Sequence, residues 1–119
     1  MRPVPAEETL RRLTIGDPRL LASFADDEHA PRQPCRLDER TERLLRLAAL
    51  VMLDAPQSAY DAAVAEAMRA GADLDDLVGV LLALAGTAGS VRVMAAAPRI
   101  ALAAGYDVDA ALEMLEPEH

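Results

Sequence analysis

Apolar residues recur at helical spacing along most of this 119-residue chain, and the polar residues between them fall where helices start and stop. Glu7 to Leu13 reads as a short amphipathic helix ending near Gly16. Asp17-Pro18 is a helix start, with a carboxylate to cap and a proline at the first helical position. The helix it opens runs to about Ala25 and places Leu20, Leu21 and Phe24 on one side. Pro31 and Pro34 make the next stretch an extended connection. Asp38 caps a helix to about Leu53, with Leu44, Leu47, Ala48 and Val51 on one stripe and Leu45 and Met52 beside it. Asp54-Ala55-Pro56 breaks it.

A second core helix spans about Gln57 to Ala70 and closes on Gly71. Asp73 caps a third, with Asp76 in its first turn. Gly79, Ala83 and Gly86 sit at helical spacings on that helix, where small residues predict close approach of a neighbour. Gly89-Ser90 opens a fourth helix to about Ala104, and Pro98 is predicted to kink it. Gly105 ends it, and Asp107 starts a short last helix through Ala110, Leu112 and Leu115. The organisation is one domain: an N-terminal helical arm and loop over 1–36 and a helical core over 37–119.

Composition agrees with an all-α fold. The chain is 52% hydrophobic but 3% aromatic, with no Trp, so its core is built of alanine and aliphatic side chains, which favour helix over sheet. Twenty acidic residues against twelve arginines give a net charge of −8, which argues against nucleic acid or an anionic membrane as a partner. A lone Cys35 rules out an internal disulfide. The N-terminus lacks the apolar run of a signal peptide, and Leu77 to Gly89 falls short of the roughly 20 residues that span a bilayer. The expectation is a cytoplasmic protein. Core helices apolar on more than one face call for a homo-oligomer.

Three motifs carry a resemblance to a known family. LDERTERLLRLA, from Leu37, matches a Leu-Asp-x-x-Thr-x-x-Leu helix start. AMRAGADLDDLVGVLL, from Ala67, matches a helix–turn–helix built on Gly followed by paired acids. LALAGTAGS, from Leu82, matches a small-residue helix before a final long one. Together they resemble the carboxymuconolactone decarboxylase and alkylhydroperoxidase-like family, and EETLRRL and DPRLLASF resemble the N-terminal arm of its decarboxylase branch. The resemblance implies an alkylhydroperoxidase-like helical domain assembling as a dimer, trimer or hexamer. It also implies where chemistry should sit. The peroxidase branch carries Cys-x-x-Cys and then His at the start of the second core helix, and these positions fall on Pro56, Ala59 and Ala63, or one residue earlier on Ala55, Ser58 and Ala62. Neither register supplies a thiol or an imidazole. The family's preceding Glu corresponds to Arg43, and the His of the decarboxylase branch is missing too. Disulfide-cycling peroxidase chemistry needs an attacking and a resolving thiol, so it is not inherited.

The remaining candidates are Glu66 and Tyr60 as acid and base, one helical turn either side of Ala63. A carboxylate in an Ala- and Leu-lined pocket has a raised pKa and can move protons; the competing reading of Glu66 is a surface pair with Arg69. Arg92 and Arg99 lie in an otherwise apolar helix and can clamp a substrate carboxylate, or pair with an acid across a subunit interface. His29 beside three acids is a weaker base candidate, as Cys35 beside Arg36 is a weaker nucleophile; both also read as plain loop residues. No metal site and no cofactor is expected. The function that follows is proton transfer, of decarboxylation or isomerisation type, on a small organic acid, lactone or polyketide-like molecule. The alternative is a non-catalytic oligomeric binding or scaffold protein that lost the redox site. A third reading is a peroxidase acting through Cys35. An open pocket with convergent polar groups separates the enzyme from the scaffold, whose pocket bulky side chains would fill.

Overall fold

The structure, a computed structural model, describes residues 6–24, 35–106 and 113. The described residues hold helices and no strand. The chain divides into two units, Met1–Arg36 and Leu37–His119. His29 and the helix expected after Asp107 lie outside the described residues.

In the first unit, α1 spans Ala6–Thr14 and α2 spans Pro18–Ala22. The Asp17 carboxylate accepts the Arg19 N–H at 2.9 Å and caps α2, with Pro18 at the first helical position. Hydrogen bonds from Arg12 and from the backbone hold the Asp17 carboxyl below its ordinary range. The helix is shorter than expected, closing on Ser23, and of its apolar side only Leu20 is buried, while Leu21 and Phe24 are about half exposed.

The second unit is a bundle of four helices: α3 Glu39–Leu53, α4 Gln57–Arg69, α5 Leu74–Ala88 and α6 Ser90–Ala103. Each starts and stops for a local reason. Asp38 accepts the Thr41 N–H at 2.7 Å and opens α3. Asp73 and Asp76 exchange side-chain and backbone hydrogen bonds in a capping box that opens α5. Gly71, at φ +100°, closes α4: its N–H reaches the Met68 carbonyl and the Ala72 N–H reaches that of Ala67, the paired bonds of a Schellman turn.

Packing runs α3 to α4, α4 to α6, α6 to α5 and α5 back to α3, so α4 and α5 lie on opposite sides. The core between them draws Leu47 and Val51 from α3, Tyr60, Val64 and Ala67 from α4, Leu77 and Leu81 from α5, and Ala96 and Ile100 from α6. Apart from Tyr60, the largest that is fully buried, these side chains are all alanine or branched aliphatic.

One expectation is corrected. A Cβ built on Gly79 or Gly86 meets nothing within 4 Å, so at these two glycines of α5 no neighbour packs closely among the described residues. As expected, α6 runs on past Pro98 to Ala103, although Pro98 has no N–H to offer the Met94 carbonyl. Met94 is 71% exposed, so water can satisfy that carbonyl.

Candidate functional site

The second unit carries an open pocket of about 690 Å³ where the end of α3, the start of α4 and the start of α6 meet. Its wall is mostly alanine, valine and glycine, and four polar side chains stand on it: Asp54, Tyr60, Ser90 and Arg92. Their positions follow from three local events. The chain leaves α3 through a Schellman turn in which the Ala55 N–H bonds the Leu50 carbonyl at 3.2 Å, leaving Asp54 left-handed at φ 52°. Glycine takes that conformation without strain, whereas aspartate is one of the few other residues that tolerate it. Three residues on, α4 begins, and Tyr60 belongs to its buried stripe with Val64 and Ala67. At the other wall Gly89, at φ +86°, reverses the chain into α6, whose first turn holds Ser90 and Arg92.

Tyr60 is 1% exposed, yet its hydroxyl donates to no described residue. No buried side-chain polar atom among the described residues is left unsatisfied, and Tyr60 is one of the residues that line the pocket. Burial raises the phenol pKa above its ordinary 10.0; Arg99 opposes the shift, and the negative charge of Asp54 adds to it. Those two opposing charges place Asp54 and Arg99 in the electrostatic surroundings of the ring. Asp54 itself makes no ion pair among the described residues and stands free at the pocket.

Both arginines predicted as clamps are anchored on backbone. Arg92 Nη1 donates to the Met52 carbonyl at 2.7 Å, and Arg99 Nη1 to the Ala55 carbonyl at 3.3 Å. Lying two turns apart on α6, they bond one carbonyl that the end of α3 leaves open, that of Met52, and one in the turn beyond it, that of Ala55. Gln57 ties the same region from α4, donating to the Arg99 carbonyl at 2.8 Å. Of the two arginines, Arg92 lines the pocket and Arg99 does not.

Glu66 does not line the pocket with Tyr60. It lies on another side of α4 and meets α3: Arg43 Nη1 approaches its Oε2 at 3.1 Å and Arg46 Nη1 at 3.9 Å. The surface ion pair weighed as its alternative is present, but with α3 in place of Arg69. The helical spacing put Tyr60 and Glu66 within a turn of Ala63; their separation comes from the 100° between successive residues, which sends Tyr60 into the core and Glu66 across to α3.

Asp54 was missed, since in the sequence it is only the polar residue of a helix break; the available signal was an aspartate where a helix end favours glycine. Ser90 was read only as a helix start. Cys35 is an exposed free thiol in the first unit. The positions at which the resembled peroxidases carry thiols and imidazole hold Ala55 or Pro56, Ser58 or Ala59, and Ala62 or Ala63; of these, Ala55 is buried, while Ala59 and Ala63 pack against the core. No cluster of three metal-ligating side chains occurs among the described residues. Nor, among them, is any helix long and apolar enough to cross a membrane.

Two further hollows are apolar. One of about 420 Å³ lies between α5 and α6, floored by Leu77, Leu81 and Ile100, with Pro98 and Tyr106 at its edge. The other, about 210 Å³, lies between α3 and α5. Neither gathers acid, base and cation.

Comparison with known proteins gives one match: residues 18–104 match the family described as Carboxymuconolactone decarboxylase family. No curated protein and no solved structure matches.

Proposed function

The chain belongs to the carboxymuconolactone decarboxylase family, and on that premise we propose that it catalyses proton transfer on a small organic acid or lactone in the pocket of Asp54, Tyr60 and Arg92. The observation that carries this reading is that, on one open cavity, stand a carboxylate with no ion pair among the described residues and a tyrosine whose hydroxyl donates to none of them. By contrast, Glu66, Arg43 and Arg46 are engaged with one another. A site that evolved only as scaffold gains nothing from leaving such groups without partners.

In the proposed step an Asp54 Oδ takes the proton from a carbon next to the substrate carbonyl. The C–H electron pair moves into the carbon–carbon bond, and the carbonyl oxygen becomes an enolate oxygen. Tyr60, a phenol and so protonated at neutral pH, with burial raising its pKa further, hydrogen-bonds that oxygen as charge develops. Returning the proton to a different carbon completes an isomerisation. Loss of carbon dioxide from a β-keto acid forms the same enolate without the first transfer, and protonation at carbon then ends the reaction. The role first given to Glu66 thus passes to Asp54.

The pocket is open in the single chain, and Val91, which lines it, is 79% exposed, which extends the reading to assembly. A second copy of the chain over this face would bury Val91 and exclude water from the pocket.

The test is solvent deuterium exchange into a panel of small keto acids and unsaturated lactones, followed by proton NMR. The wild type exchanges a carbon-bound proton in at least one class. Tyr60→Phe, which keeps the ring packing, slows exchange by about 100-fold or more. Exchange of the same rate in Tyr60→Phe removes the phenol from the mechanism. Saturable ligand binding with no exchange in any class favours the non-catalytic binding protein instead.

A further inference from the structure

We propose that the apolar groove between the start of α5 and the end of α6 seats the chain's own following segment, residues 107–116, as a helix whose Val108, Leu112 and Leu115 face inward. The groove holds about 420 Å³ and shares no lining residue with the Asp54 pocket, so this seat stands whatever reaction that pocket performs. Its floor, Leu77, Leu81 and Ile100, is buried, while Leu74, Val78 and Tyr106 on its walls stay exposed. An apolar segment laid over these walls is stabilised by the water it displaces from them.

Three observations identify the occupant. First, the chain itself arrives at the groove. Past α6 the Gly105 N–H bonds the Leu102 carbonyl at 3.1 Å and the Tyr106 N–H that of Ala101 at 2.9 Å, a Schellman turn with Gly105 at φ +79°. Tyr106 then stands on the groove, so residue 107 enters it with no linker to cross, and a tethered segment outcompetes a separate partner of the same chemistry. Second, the segment has the pattern of a helix with one apolar face. Between Asp107, a capping residue, and Pro117, a helix stop, Val108, Leu112 and Leu115 share a face with Ala111. Val108 to Leu115 covers as many residues as Leu74 to Leu81 on the α5 wall, about 10 Å of helix in both. Third, Glu113, the one described residue beyond Tyr106, is helical and exposed. At about 100° per residue it lies on the far side of the helix from Val108, Leu112 and Leu115, as the seating requires.

Methyl NMR of the full chain tests this. Nuclear Overhauser contacts are expected from Leu112 and Leu115 to Val78 and Leu81, and a mixture of labelled and unlabelled protein shows that they lie within one chain. Val78→Ala and Leu112→Ala each lower the melting temperature by about 2 °C or more, and together by less than the sum of the two shifts, because each removes one side of the same contact. Glu113→Gln, on the opposite face, leaves the melting temperature unchanged. Absence of the contacts, or shifts that simply add, overturns the proposal. Contacts found only between copies of the chain overturn it too, and assign the groove to assembly instead.

Discussion

Asp54 holds a backbone conformation that glycine adopts freely, at a helix end where glycine is the common choice. A carboxylate kept in such a place is a cost of up to about 1 kcal/mol, less for aspartate than for most residues. Asp54→Gly is therefore expected to abolish turnover while the melting temperature holds or rises; a variant several degrees less stable would show that the side chain is structural. Tyr60 offers a second test by pH. Burial lifts its pKa above 10.0, so the protonated acid persists through neutral and mildly alkaline pH. The Tyr60-dependent limb of the pH–rate profile accordingly lies above pH 10. A limb near neutrality that disappears in Tyr60→Phe would contradict the environment described for the ring. The chain alone draws attention to Tyr60 by its place on α4, whereas Asp54 stands out only through its φ angle and the cavity beside it.

Helices are the scale at which the sequence was most readable, because their ends are decided by neighbours in the chain. Asp17, Asp38 and Asp73 cap as expected, and Gly71 closes α4 in the left-handed conformation that a Cβ would strain. Asp73→Ala breaks the capping box and is expected to lower stability by about 1 kcal/mol, read as a shift in the urea midpoint at unchanged slope. What a helix does with its faces was less readable. The reach of Glu66 to Arg43 spans 23 residues of sequence, and that of Arg92 to the Met52 carbonyl spans 40. No periodicity encodes such partners, so Glu66 was placed in a pocket it does not line, and two arginines expected to clamp substrate are anchored on the end of α3 and the turn beyond it.

For the molecule as a whole, the apolar residues left uncovered matter more than those buried. At Gly79 and Gly86 of α5 no neighbour packs closely among the described residues, and Leu82 on the same helix is 71% exposed. If a second copy packs there, alanine at Gly79 or Gly86 weakens assembly, measured by light scattering across a concentration series. If nothing packs there, each substitution instead adds up to about 1 kcal/mol of helix stability without changing the molecular mass. The proposed homo-oligomer predicts the first result.

The central claim is that the chemistry has moved to the pocket at the end of α3. Exchange rates of Asp54→Asn and Glu66→Gln, measured side by side on the substrate class the wild type accepts, test it most directly. A loss of about 100-fold or more in Asp54→Asn with Glu66→Gln close to wild type is the predicted result. Retained exchange in Asp54→Asn, or its loss in a folded Glu66→Gln, would contradict it.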